Sequence, residues 1–188
     1  MRESLHPRRI ATLCASLALT ATLSACEDDD SVLFPGVSRE VNEQLTVLHD
    51  SMTPFQDVES AIAAGYGVIV EHPTDGSRCL AHHDQGAMGF HYLNPDLADD
   101  AVAVSSPEAL LYEPRSDGSL ELVGAEYVVP FAVRSDTETP PVLFGREFSR
   151  NYTFNVWALH VWVLRDNPNG VFSDWNPTVS CEHADAVG

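Results

Sequence analysis

Apolar residues change their spacing once along this chain, near residue 66, and the change separates a helical stretch from a β-rich one. Before it, Val41, Leu45, Leu48 and Met52 recur at intervals of four, three and four, the stripe of a helix lying on a core, with Ser38 in capping position. Thr53-Pro54-Phe55-Gln56 then reads as a capping box with proline at the first helical position. A second helix is expected to follow through Val58, Ala61 and Ile62 and to stop at Gly65. Beyond residue 66 the period falls to two, in short runs broken by turn residues. Tyr66–Glu71, Ala87–Leu93, Glu108–Glu113, Ser119–Val129, Val142–Phe144 and Asn155–Leu164 are the expected strands.

Asp117-Gly118 is a two-residue hairpin signal, and such a turn sets the pairing of the strands beside it. Glu113 should face Leu122, Leu111 should face Gly124 and Ala109 should face Glu126. Ala109, Leu111, Leu122, Gly124, Glu126 and Val128 then share one sheet face. The fold class is α+β: an N-terminal helical pair packed on a curved, mainly antiparallel sheet, barrel-like or sandwich-like. Nothing in the chain repeats.

The first residues follow a different logic. Arg2, Arg8 and Arg9 precede an apolar run from Ile10 to Leu23, and Leu23-Ser24-Ala25-Cys26 closes it with small residues before a cysteine. That ending resembles the lipobox of bacterial lipoproteins, which implies a signal peptide over 1–25 and lipid on the Cys26 thiol. Arg8-Arg9 matches a twin-arginine signal only in part, so ordinary secretion is the better reading. Residues 26–37, with Glu27-Asp28-Asp29-Asp30, read as an acidic flexible tether, and 38–188 as one globular domain. The expected location is outside the cytoplasm, lipid-anchored to a bacterial membrane on its periplasmic or extracellular face.

Charge narrows the partners. Residues 1–25 hold three arginines and one glutamate; without them the 10 basic and 28 acidic residues fall to 7 and 27, a formal charge of −20. Lysine is absent. Such a surface repels phosphate backbones, which argues against DNA or RNA as partners, and the membrane is reached through the lipid alone. With Cys14 in the leader and Cys26 on lipid, Cys79 and Cys181 remain, and an oxidising compartment favours a disulfide between them. The alternative is a free Cys79 thiolate acting as a ligand beside His82 and His83.

The segments Gly86–Tyr92, Pro107–Glu113, Val123–Tyr127 and Trp157–Trp162, followed by Asn167-Pro168 and Asp174-Trp175-Asn176-Pro177, resemble a family of uncharacterised exported bacterial proteins. The resemblance spans most of 38–188. It implies a single exported domain and transfers no catalytic residue.

Candidate chemistry sits on the strands. By alternation His91 lies with Ala87 and Gly89, and His160 with Ala158, Trp162 and Leu164. Glu126 falls on a face that otherwise reads as core. A buried carboxylate is costly unless paired or coordinated, so His91, His160 and Glu126 are the candidate ligands of a divalent transition metal with open positions for water or substrate. The competing reading pairs Glu126 with Arg146, Arg150 or a histidine. Gly89, Ala109, Gly124 and Ala158 would leave room for a small ligand. Glu113 is a weaker candidate for the same centre, and His82-His83-Asp84 forms a second, loop-borne metal candidate.

No GxSxG, HExxH, P-loop or GxGxxG occurs, so no motif names a reaction. Tyr92, Tyr112, Tyr127, Trp157, Trp162 and Trp175 fill a core or line a concavity suited to an apolar or sugar-like ligand. Three functions stay open: a lipid-anchored module binding a small molecule or metal, a metal-dependent envelope enzyme using His91, His160 and Glu126, or a structural lipoprotein without a site. Neither substrate nor oligomeric state is written in the chain.

Overall fold

The computed structural model describes residue 34 and residues 36–187; the expected signal segment and Cys26 lie outside them. Ser38 caps α1 (Arg39–Met52) by accepting from the Val41 N–H at 3.3 Å. Leu45, Leu48 and Met52 are fully buried, as their spacing requires. Each such side chain stabilises the fold by roughly 1.5–3 kcal/mol relative to exposure. The next expectation fails in part. Thr53–Phe55 is a single 3-10 turn, and α2 (Val58–Ala63) takes Asp57 as its cap, whose carboxylate accepts from Glu59 N–H at 3.3 Å and from the Ser60 hydroxyl at 3.0 Å. A carboxylate positioned on the first turn displaces the threonine box, and Gly65, at φ +103°, ends the helix as expected.

Among the described residues nine strands follow: β1 (Val68–Ile69), β2 (Cys79–His82), β3 (Gly86–Leu93), β4 (Ala109–Pro114), β5 (Leu120–Pro130), β6 (Val142–Leu143), β7 (Arg146–Glu147), β8 (Ser149–Asn151) and β9 (Val156–Val161). Seven form one antiparallel sheet in the order β1-β3-β4-β5-β9-β8, with β2 also on β3, while β6 and β7 pair separately. The sheet is open. β1 and β8, two and three residues long, end it without pairing with each other, so the barrel form of the expectation is not found. The α+β class and the antiparallel sheet stand.

The β4–β5 hairpin turns differently from its dipeptide signal yet reaches the expected register where it counts. Gly118 N–H donates to Arg115 O and Arg115 N–H to Ser119 O, with Gly118 at φ +83°: a three-residue loop with a left-handed glycine. That slips the pairing by one, so Glu113 faces Glu121 and Tyr112 faces Leu122. A bulge between Leu111 and Tyr112 slips it back, and Leu111↔Gly124 and Ala109↔Glu126 form as expected. Leu122 is therefore turned to the helix side, and Val123 takes its place on the opposite face.

Two cores result. On one face Phe90, Tyr112, Ala125, Tyr127 and Trp157 pack against Leu45, Leu48, Met52 and Ala61. The tyrosine hydroxyls are satisfied: Tyr112 donates to Phe55 O at 2.6 Å and Tyr127 to Val104 O at 2.6 Å. On the other face Ala87, Leu111, Val123 and Trp162 meet Val179 of the C-terminal tail. The tail is pinned to β3 by the paired backbones of Asn176 and Ala87 and by the Cys79–Cys181 disulfide, whose Cα atoms are 5.8 Å apart. Gly86 is indispensable there, since at φ +91° a Cβ would lie 2.1 Å from Asn176 O.

Candidate metal centre

His91 on β3, Glu126 on β5 and His160 on β9 converge on the tail-covered face. Glu126 and His160 are direct cross-strand partners. His91 comes from two strands away, over the small side chain of Ala109, which faces Glu126 from β4. Glu126 divides its oxygens between the two rings: Oε2 is 3.5 Å from His91 Nε2 and Oε1 is 3.6 Å from His160 Nε2. One ligand atom from each residue lies within 4.8 Å of the others. Donors around one transition metal at ~2.1 Å bonds stand roughly 3–4 Å apart, so a small closure of the side chains suffices.

All three are buried, at 2% exposure for each histidine and 8% for Glu126. His91 Nδ1 and His160 Nε2 have no hydrogen-bond partner, and His160 Nδ1 has only the Asp174 carboxylate, at 3.5 Å. Buried polar groups are normally satisfied, and of these atoms only His160 Nε2 faces Glu126, since His91 turns Nε2 and not Nδ1 to the carboxylate. Burial, reinforced by the neighbouring His160, pushes the His91 pKa down to about 3, leaving a neutral imidazole. Burial also pulls His160 down, but Glu126 and then Asp174 outweigh it and hold the ring above its ordinary value. Glu126 is raised by burial against the pull of His160, with Asp174 adding to the rise.

Asp174 is the residue that sequence reading missed. The tail brings its Oδ1 to 3.5 Å from His160 Nδ1, an outer carboxylate behind a ligand-type histidine, and that contact lowers its own pKa against the effect of burial. No local signal announces it, because it arrives from a turn that only the stapled tail folds over the sheet.

Other candidates go elsewhere. Glu113 belongs to an ion cluster, 3.1 Å from Arg115 and 3.0 Å from Arg165, and accepts from Ser180 N–H at 2.9 Å. Arg150 lies over the Trp157 ring and Arg146 over Phe172, so neither pairs with Glu126. His82 and His83 stack at 4.6 Å, His83 pairs with Asp84 at 2.6 Å, and neither joins a third ligand among the described residues. Cys79 is in the disulfide and is no thiolate.

A cavity of about 460 Å³ opens beside the triad, lined by His91 and Glu126 but not by His160. Of the four small residues expected to make room, only Ala109 lines it. Gly89 and Gly124 instead let backbones approach, since a Cβ would stand 2.4 Å from Tyr112 O and 2.8 Å from Val161 O respectively. Trp175 lines the cavity, and the other aromatics named above fill the two cores.

A second buried acid stands apart. Glu108, 1% exposed, accepts from Val128 N–H at 3.0 Å, and its pKa is pushed up to about 8 by burial, against Val128 and with help from Asp99 and Glu126. It is protonated in the folded protein at neutral pH. A folded pKa raised above the unfolded value of 4.5 gives stability that is complete below 4.5 and lost as pH rises through about 8. Replacing Glu108→Gln should flatten this loss, by an amount on the order of a few kcal/mol between pH 5 and 8. Urea unfolding at both pH values checks it; parallel slopes for the two proteins contradict it.

No family model, curated protein or solved structure matches this chain, so the reading of the site stands on its geometry.

Proposed function

We propose that this chain is a lipid-anchored envelope module that holds a divalent transition metal between His91, His160 and Glu126 and admits a small molecule to it. The observation that carries the reading is the convergence of three buried ligand-type side chains from three strands, with His160 Nε2 left unpartnered where it faces Glu126. Two imidazoles and a carboxylate suit zinc or iron(II) and leave positions free. Asp174 supports it, because an outer carboxylate fixes the tautomer of a metal-bound histidine. The cavity beside His91 and Glu126 gives a ligand access. The purified protein, equilibrated with zinc and freed of excess, should retain close to one zinc per chain and melt at a higher temperature. No bound Zn, Co, Fe or Mn and no metal-dependent rise in melting temperature would end the reading.

The anchor rests on the succession of positive, apolar, small-residue and acidic segments up to and beyond Cys26. A disulfide fits the oxidising compartment this implies. Mass spectrometry of membrane-extracted protein should find Cys26 as the acylated first residue, and Cys26→Ser should release the chain into the soluble fraction. An unmodified Cys26 in membrane-bound protein contradicts the anchor and leaves the metal reading intact.

A further inference from the structure

The cavity's lining says what chemistry it would receive. At about 460 Å³ it falls within the ~300–1,000 Å³ usual for small-molecule sites. Val70, Leu80, Met88, Leu93, Val128 and Phe154 supply apolar wall. No arginine lines it, and the chain contains no lysine, so a phosphate or polycarboxylate would meet no permanent side-chain cation, only the imidazoles of His72 and His82, the former already beside Asp75. A cationic ligand fares no better. Of the two lining carboxylates, Glu126 is committed to the histidines, and Asp75 is already occupied by Ser77 N–H at 2.9 Å, the Ser77 hydroxyl at 2.7 Å and His72 at 3.3 Å.

Charge at the floor completes the picture. Metal-bound imidazoles are neutral and the carboxylate carries one negative charge, so a divalent ion on this triad keeps one positive charge facing an apolar chamber. That charge calls for a single negative counterpart, and the walls call for an apolar body.

We propose that the chamber takes an apolar organic molecule ending in one monoanionic metal-binding group, its head on the ion beside His91 and Glu126 and its body against Val70, Leu93 and Phe154. This rests on the metal reading above, and the test separates the two. The probes are cobalt(II), whose absorption reports its ligands, and two hydroxamates with the same monoanionic head, acetohydroxamate and benzohydroxamate.

Cobalt-loaded protein should bind benzohydroxamate at least ten-fold more tightly than acetohydroxamate, because only the former has a ring to bury. Val70→Trp, which narrows the chamber from the wall and leaves the backbone bond from Val70 N–H to His91 O in place, should retain cobalt and lose the preference. Leu93→Trp serves the same purpose should the first variant not fold. Failure of the parent protein to bind cobalt overturns the metal reading and the ligand class with it. Cobalt bound with equal affinity for the two hydroxamates overturns the ligand class alone, as does a preference that persists unchanged in a folded wall variant.

Discussion

Glu126→Gln should sharply reduce the zinc-dependent stabilisation expected of the proposed metal centre while leaving the protein folded. Glutamine matches the shape of glutamate, but its amide cannot supply the negative oxygens that Glu126 directs at His91 and His160 from 3.5 and 3.6 Å. Losing an outer-sphere partner of a metal ligand costs roughly 10–100-fold in affinity, and losing a direct ligand costs at least the upper end of that range. With zinc at about a thousand times its dissociation constant the parent gains about 4 kcal/mol, and the variant at the same concentration gains about 1.4 kcal/mol or less. Thermal unfolding with and without zinc measures both. Equal zinc-induced shifts in the two proteins would show that Glu126 is not a ligand, and the cluster would then be a buried histidine–carboxylate pair.

That Glu126 could be singled out from the chain alone depends on a cancellation. Asp117-Gly118 suggested a two-residue turn; the protein makes a three-residue loop, and the resulting slip is undone by the bulge between Leu111 and Tyr112. The expected pairing therefore holds at Ala109 and Glu126, beside the site, while between the two irregularities Leu122 changes face and Glu113 changes partner. Alternation is a reliable guide only where such slips sum to zero, because one extra residue sends every later side chain to the other face. The helices teach a similar lesson. The stripe through Leu45, Leu48 and Met52 was legible because three buried positions agree, whereas the start of α2 turned on a single competition between Thr53 and Asp57 for the first free N–H groups.

What the chain did not disclose is everything the tail does. Cys79–His82 was not among the expected strands, and it becomes β2 by pairing with the edge of β3. Asp174 belonged to no expected site, yet it backs His160, whereas Trp175, expected to fill a core or line a concavity, walls the cavity. Both roles depend on a contact between distant parts of the chain, which no local period encodes. Cys79 and Cys181 were the one sequence signal that such a contact exists.

That signal has an energetic counterpart. Replacing both Cys79 and Cys181 by alanine should destabilise the protein by about 4 kcal/mol, since a cross-link spanning 102 positions removes a large share of the unfolded chain's freedom. Against the ~5–15 kcal/mol of an ordinary domain this is a substantial fraction. The loss should begin locally. Without the link the tail is held mainly by the Asn176–Ala87 backbone pair and by the hydrogen bonds that Asn176 makes to Asp166 O at 3.2 Å and to Thr178 N–H at 2.9 Å. Hydrogen exchange at the Ala87 and Asn176 amides should therefore accelerate more than at the Tyr127 amide in the middle of β5, because the tail can open without disturbing the helix-side core. Zinc affinity should fall with it, as Asp174 leaves His160 whenever the tail lifts. A double variant within 1 kcal/mol of the parent in urea unfolding, with unchanged exchange at Ala87, would show that Val179 and Asn176 hold the tail by themselves and that the disulfide only records where the two segments already meet.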